Sequence, residues 1–250
     1  MSITIKNELA QFLIRLADSE IILGQRLAEM CSKGPFLEED IALSNLALDL
    51  FGRGEELLKI IADLEDNAYT PDDYTFRRNE REYFSYKIVE QPNNDFAWVI
   101  ARQYFHDVYV REIFRQLLNH SDQQIAGLSE KVLKEIDYSY LHARDWMVRL
   151  GIGTEESNSR LQKAVDSLWK YSEELFAFDQ IDTNVLDDSD QIKTVWDNEI
   201  DQVFSEANLE KPEEFKRHIL DFRQGFHSEY LGMILADMQY LPRAYPDAQW

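Results

Sequence analysis

Four acids and a tyrosine are the side chains best placed to do chemistry: Glu20, Asp49, Asp107, Glu135 and Tyr138. The acids lie on or beside apolar stripes that repeat every three and four residues, the spacing of a single helix face. Glu135 falls among Leu128, Val132, Ser139, His142 and Trp146, with Tyr138 one turn on. Glu20 takes the step between Leu16 and Leu23, and Asp107 lies midway along a stripe of Phe96, Ile100, Tyr104 and Phe114. Asp49 stands at the edge of its stripe, with Arg53 one turn later and spaced to pair with it. A carboxylate on a buried face must be paired, protonated or bound to metal, because an isolated buried charge is costly.

Acids on successive helices suggest one particular chemistry. An iron pair in a helix bundle takes one carboxylate from each of two helices and a Glu-x-x-His from each of two others. Carboxylate and imidazole form the ligand set for iron that works on oxygen. The carboxylate half of this set is largely visible. The imidazole half is missing. The histidines are His106, His120, His142, His218 and His227, preceded at three residues by Gln103, Leu117, Ser139, Phe215 and Gln224. Neither Glu-x-x-His nor Asp-x-x-His occurs. At the expected places stand Asp49-x-x-Gly52, or Leu50-x-x-Arg53, and Glu135-x-x-Tyr138. Arg53 cannot ligate iron, because its guanidinium stays protonated, but it can supply positive charge that acids would otherwise receive from a metal. A degenerate site is therefore expected, with the acids held by salt bridges or shared protons and no metal, cofactor or catalytic residue in this chain. The alternative is an active di-iron carboxylate oxidase or oxygenase in which His142 substitutes as a ligand.

These residues need long helices to position them. Periodicity predicts helices over 5–30, 38–64, 95–119 and from the His120-Ser121-Asp122 turn to Leu150-Gly151-Ile152-Gly153. Lys33-Gly34-Pro35 reads as the stop of the first helix, and Asp95 as the cap of the third. Ile41 is read as part of the second helix's buried stripe. Further helices are predicted over 157–177, 188–206 and 224–241, with Pro242 and Pro246 closing the chain. Between the second and third helices, Glu65 to Asn94 is irregular, with a short helix within 80–90. So long a connection suits a crossover from one end of a bundle to the other. The expected fold is all-α: a ferritin-like four-helix bundle with a long crossover and additional C-terminal helices. It is read as a single domain over 1–250, with the core at about 5–150 and the extra helices at about 157–241.

Composition narrows the setting. The 250 residues are 44% hydrophobic, which supports a sizeable core, and only 9 are Gly and 6 Pro. A net charge of −21 repels nucleic acid and anionic membranes. Cys31 is the one cysteine, so there is no intrachain disulfide and no cysteine-based metal site. The first residues lack the order of a signal peptide, and no stretch approaches a membrane span, so a cytoplasmic protein is expected.

Longer strings carry a resemblance. They are Asp40-Ile-Ala-Leu-Ser-Asn45, Leu48-Asp-Leu-Phe-Gly52, Val89-Glu-Gln-Pro-Asn93, Phe96-Ala97 and Ile100-Ala-Arg-Gln-Tyr-Phe105. They continue with Leu168-Trp169, Glu174-Leu-Phe176, Gly225-Phe-His-Ser-Glu-Tyr-Leu-Gly232 and Leu235-Ala-Asp-Met-Gln-Tyr-Leu241. In this order, and nearly end to end, the chain resembles the C subunits of bacterial phenylacetyl-CoA 1,2-epoxidase, the ring-epoxidising oxygenase of phenylacetate degradation. The resemblance implies a ferritin-like, non-catalytic structural subunit that stabilises a related catalytic A subunit, which holds the di-iron centre. Self-association is the option for the isolated chain. It also implies that Glu20 stands at the first-helix ligand position and Asp107 at the third, with Leu50 and Arg53 where a Glu and a His would be. Aromatic residues such as Trp196 and Phe226–Tyr230 suit either a partner surface or packing over the bundle, and Ser228 is a possible helix cap. The basic run Arg77–Arg81 is read as a solvated loop, with CoA phosphates as its functional alternative.

Overall fold

The computed structural model describes residues 3–213, 221–246 and 248, so His218 lies outside the described residues. Among them the regular elements are all helical, and the fold is of the all-α, ferritin-like class. The chain forms two compact units, Met1–Pro92 with Leu220–Trp250, and Asn93–Ile219.

The first unit is built on helices α1 (Glu8–Ala28) and α2 (Leu37–Leu64). Asn7 caps α1 by accepting from the Ala10 N–H. The helix ends at Ala28, before the expected Gly-Pro stop, and Ser32 turns the chain with φ of 66°. Gly24 lies against Phe51 and Ala47, and Gly54 against Ile21 and Ala17, so the two helices run antiparallel. A Cβ on Gly54 would come within 2.6 Å of the Ile21 side chain, which would have to shift to admit it. α1 is buried at every position from Phe12 to Gly24. α2 is amphipathic, and Ile41 faces outward at 51% exposure rather than joining the core.

The crossover contributes α3 (Pro71–Phe76), a 3₁₀ turn at Glu80–Glu82 and α4 (Lys87–Glu90). After the second unit the chain returns as a 3₁₀ turn at Phe222–Gln224. That turn closes on Gly225, whose φ of 73° favours glycine. The expected helix over 224–241 begins only at Leu231. Ser228 is not its cap, since Tyr230 holds that place without a side-chain bond, and Pro242 lies inside the helix rather than after it.

The second unit holds α5 (Phe96–Leu117), α6 (Gln123–Ile152), α7 (Glu155–Ser172), α8 (Gln180–Val185) and α9 (Ser189–Glu206); the returning helix Leu231–Ala244 of the first unit is α10. Asp95 caps α5 by accepting from the Trp98 N–H at 3.0 Å, and Asp122 caps α6 in the same way. Phe96 meets Trp146 edge-on and Tyr104 stacks on Tyr140, so α5 and α6 are antiparallel. α5 packs against α6, α7 and α9. Phe105, Trp169, Trp196 and Phe204 form one ring cluster there, and the Trp196 indole N–H donates to the Phe105 carbonyl. Trp196 is 2% exposed and serves packing rather than a partner surface.

Candidate functional site

In the first unit, the close α1–α2 approach carries Arg53 across to Glu20. The guanidinium donates from Nε and Nη2 to Glu20 Oε2, at 3.0 and 2.8 Å. Glu20 is fully buried and Arg53 is 3% exposed. The expected surface pairing of Arg53 with Asp49 is therefore corrected. Asp49 is half-buried on α2, while Arg53, one turn further, points inward to α1. Attraction between opposite charges is stronger in the low-dielectric interior than at a half-exposed helix edge, and the long planar guanidinium can reach the carboxylate of the facing helix.

The second unit keeps Asp107 fully buried on α5. Its Oδ1 accepts from Gln103 Nε2 at 2.8 Å, and His106 Nδ1 stands 3.6 Å from the same oxygen. The expectations for α6 need correction. The buried stripe runs through Leu128, Val132, Ile136, Ser139, Ala143 and Met147, one step round from Glu135. Glu135 and His142 are half-buried, and Tyr138 is 60% exposed. Both stripes share Leu128, Val132 and Ser139. Burying Ile136, Ala143 and Met147 costs nothing in desolvation, whereas burying Glu135 and His142 would.

Two further buried pairs lie in the first unit. Arg78 donates to both oxygens of Asp18 and to the carbonyls of Tyr74 and Glu82. Burial acts to lower the Arg78 pKa, but the charge and hydrogen bonds of Asp18 outweigh it and hold it above the ordinary value. Arg78 is therefore not part of a solvated loop. Arg77, which pairs with Asp73 at 2.9 Å, and Arg81 are the exposed arginines of that run. The Tyr83 ring lies under the Arg78 guanidinium, and burial pushes its hydroxyl up to about 12. The second pair is Glu90 with His227, at 2.7 Å. Sequence reasoning missed both. A signal was present for the first, since apolar residues flank Asp18 closely on both sides along α1 and a charge set among them needs a buried partner. Glu90 and His227 also lie in two of the strings that carry the resemblance.

This donor set does not fit a ferritin-like iron pair. Glu20 is bound by a guanidinium, Tyr138 faces solvent, and the positions where imidazoles belong hold Gly52 or Arg53 and Tyr138. Among the described residues, no three His, Cys, Asp or Glu side chains are grouped as a metal ion would require.

Comparison with known proteins gives the setting. The family described as "Phenylacetic acid catabolic protein" matches residues 1–250. The chain belongs to that family. It is also 38% identical over 249 residues to the C subunit of 1,2-phenylacetyl-CoA epoxidase from Escherichia coli strain K12. That match covers 98% of this chain and 100% of the relative, so the similarity extends over the returning C-terminal helix as well as α1–α6. Among the described residues, no helix is long and apolar enough to cross a membrane.

Proposed function

We propose that this chain is a non-catalytic structural subunit of a phenylacetyl-CoA epoxidase, acting in the cytoplasm in aerobic phenylacetate catabolism. It holds no iron of its own and stabilises a related ferritin-like catalytic subunit that carries the di-iron centre. The observation that carries the reading is the Arg53 guanidinium on the Glu20 carboxylate. A fixed positive charge stands there where a metal would, with two guanidinium nitrogens on the Oε2 atom of the buried acid. An iron ion competing for Glu20 would have to displace that charge and leave an arginine buried without its partner. Full-length similarity to the C subunit of the Escherichia coli epoxidase supports the assignment to such a complex.

The test is metal analysis of the chain expressed alone with iron supplied, and of the Arg53→His variant. Iron near zero in the unmodified chain, with co-purification of the catalytic subunit when the two are expressed together, is the expected result. About two irons per chain, as the ferritin-like scheme holds, would overturn the reading and favour an active di-iron carboxylate enzyme.

A further inference from the structure

The buried pair between the crossover and the returning segment is not used by the role proposed above. His227 Nδ1 lies 2.7 Å from Glu90 Oε1, and Nε2 lies 2.9 Å from the Tyr83 carbonyl oxygen. Both side chains are sealed from solvent. Ser85 Oγ also donates to Glu90 Oε1 at 2.9 Å, and the Ser228 N–H donates to Oε2 at 2.7 Å. A carbonyl oxygen only accepts, so Nε2 carries a proton. The Glu90 oxygens already accept from Ser85 and the Ser228 N–H, an arrangement that suits a carboxylate facing a protonated Nδ1. With both ring nitrogens protonated, His227 has an acceptor at each end.

We propose that His227 is a proton-dependent clasp, which as imidazolium fastens residues 225–230 to the crossover at Glu90 and lets that segment open locally when the proton leaves. The groups facing it are Glu90 on α4, the Tyr83 carbonyl after the 3₁₀ turn, and the charge of Asp18 on α1, itself held by Arg78. Burial acts to lower the His227 pKa, but the hydrogen bond and charge of Glu90, then the Tyr83 carbonyl and Asp18, raise it above 6.5. The folded value lies above the unfolded one. The hold is therefore complete below the ordinary histidine range and is lost as pH rises through the raised value. Neutral His227 would leave one ring lone pair facing an acceptor, and Glu90 buried without its counter-charge.

The opening is local because α10 has anchors of its own. Gln239 Nε2 donates to the Thr75 and Arg78 carbonyls, and Arg243 donates to those of Phe76 and Arg78. Loss of the proton thus frees the connection into α10 without releasing the helix.

The test uses the full chain, followed from about pH 6 to about pH 9, the range where histidine changes charge. The imidazole resonance absent from His227→Gln is expected to titrate with its midpoint above 6.5. Hydrogen exchange of the amides at 226–231, corrected for its intrinsic pH dependence, is expected to rise roughly ten- to hundredfold across that midpoint, the loss of one charge-assisted hydrogen bond. It should stay flat in His227→Gln. A midpoint at or below 6.5, or the same rise in His227→Gln, would overturn the clasp. Should that variant not fold, Glu90→Gln decides: its His227 midpoint is expected to drop below that of the unmodified chain, and an unchanged midpoint overturns the proposal.

Discussion

The two units bury their polar and apolar side chains in different ways. The first is fastened by opposite charges: Asp18 with Arg78, Glu20 with Arg53, and Glu90 with His227. The second is fastened by rings, with Phe105, Trp169, Trp196 and Phe204 packed at α5, α7 and α9 and Phe176 against Trp196. Its fully buried acid, Asp107, meets an amide rather than an arginine, while the less deeply buried Glu112 pairs with Arg115 at the edge of the same helix. Both units begin from a long helix that is buried almost all round, α1 in one and α5 in the other. A helix of that kind must find a partner for each charge it carries. α1 finds arginines, from α2 and from the crossover. α5 carries its partner on its own face, since Gln103 lies one turn before Asp107. Charge pairs specify which segments meet and fail badly when halved, whereas ring packing depends on volume and is lost in proportion to what is removed.

Three substitutions sharpen or break that contrast. Trp196→Ala has the largest expected effect, about 3–5 kcal/mol of stability, because it opens a cavity in the ring cluster and strips a donor from the Phe105 carbonyl. Urea unfolding measures it, and no second substitution among the neighbouring rings is expected to restore the loss. Next comes Arg53→Met, at about 3 kcal/mol, because methionine keeps the stem's volume but leaves Glu20 buried without its counter-charge. Adding Glu20→Leu should recover most of that loss. If the double variant is as unstable as the single, the first unit is held by something other than its charge pairs. The smallest effect is expected from Asp95→Ala, which removes the α5 cap bond to the Trp98 N–H and costs about 1 kcal/mol. A loss well above that would make the start of α5, and not its ring contacts, the weak point of the second unit.

Much of the framework was legible from residue order. The second helix was expected over 38–64 and is found at Leu37–Leu64, and Asp95 caps the third as its spacing implied. Glu20 and Asp107 lie buried on the faces where periodicity put them. Glu135 did not follow, because two stripes on α6 share Leu128, Val132 and Ser139, and a one-residue rotation exchanges Glu135 for Ile136. Periodicity alone does not separate such alternatives when both are partly apolar. The start of α10 was misplaced for a related reason. Gly225 and the residues after it contain apolar side chains at helical spacing, yet the glycine's left-handed backbone and the His227–Glu90 pair hold that stretch off the helix.

The sequence by itself determined most of the long helices, the Asp95 cap, the absence of Glu-x-x-His, and the resemblance that placed the chain in its family. Each of these depends on residues a few positions apart, where backbone geometry and hydrophobic period act directly. Only the tertiary structure decided which charge answers which: Arg53 with Glu20 across 33 positions, Arg78 with Asp18 across 60, and His227 with Glu90 across 137. Those pairings follow from how the helices approach one another. A buried charge takes whichever counter-charge the packing brings within reach, and nothing in the local order of residues states that distance.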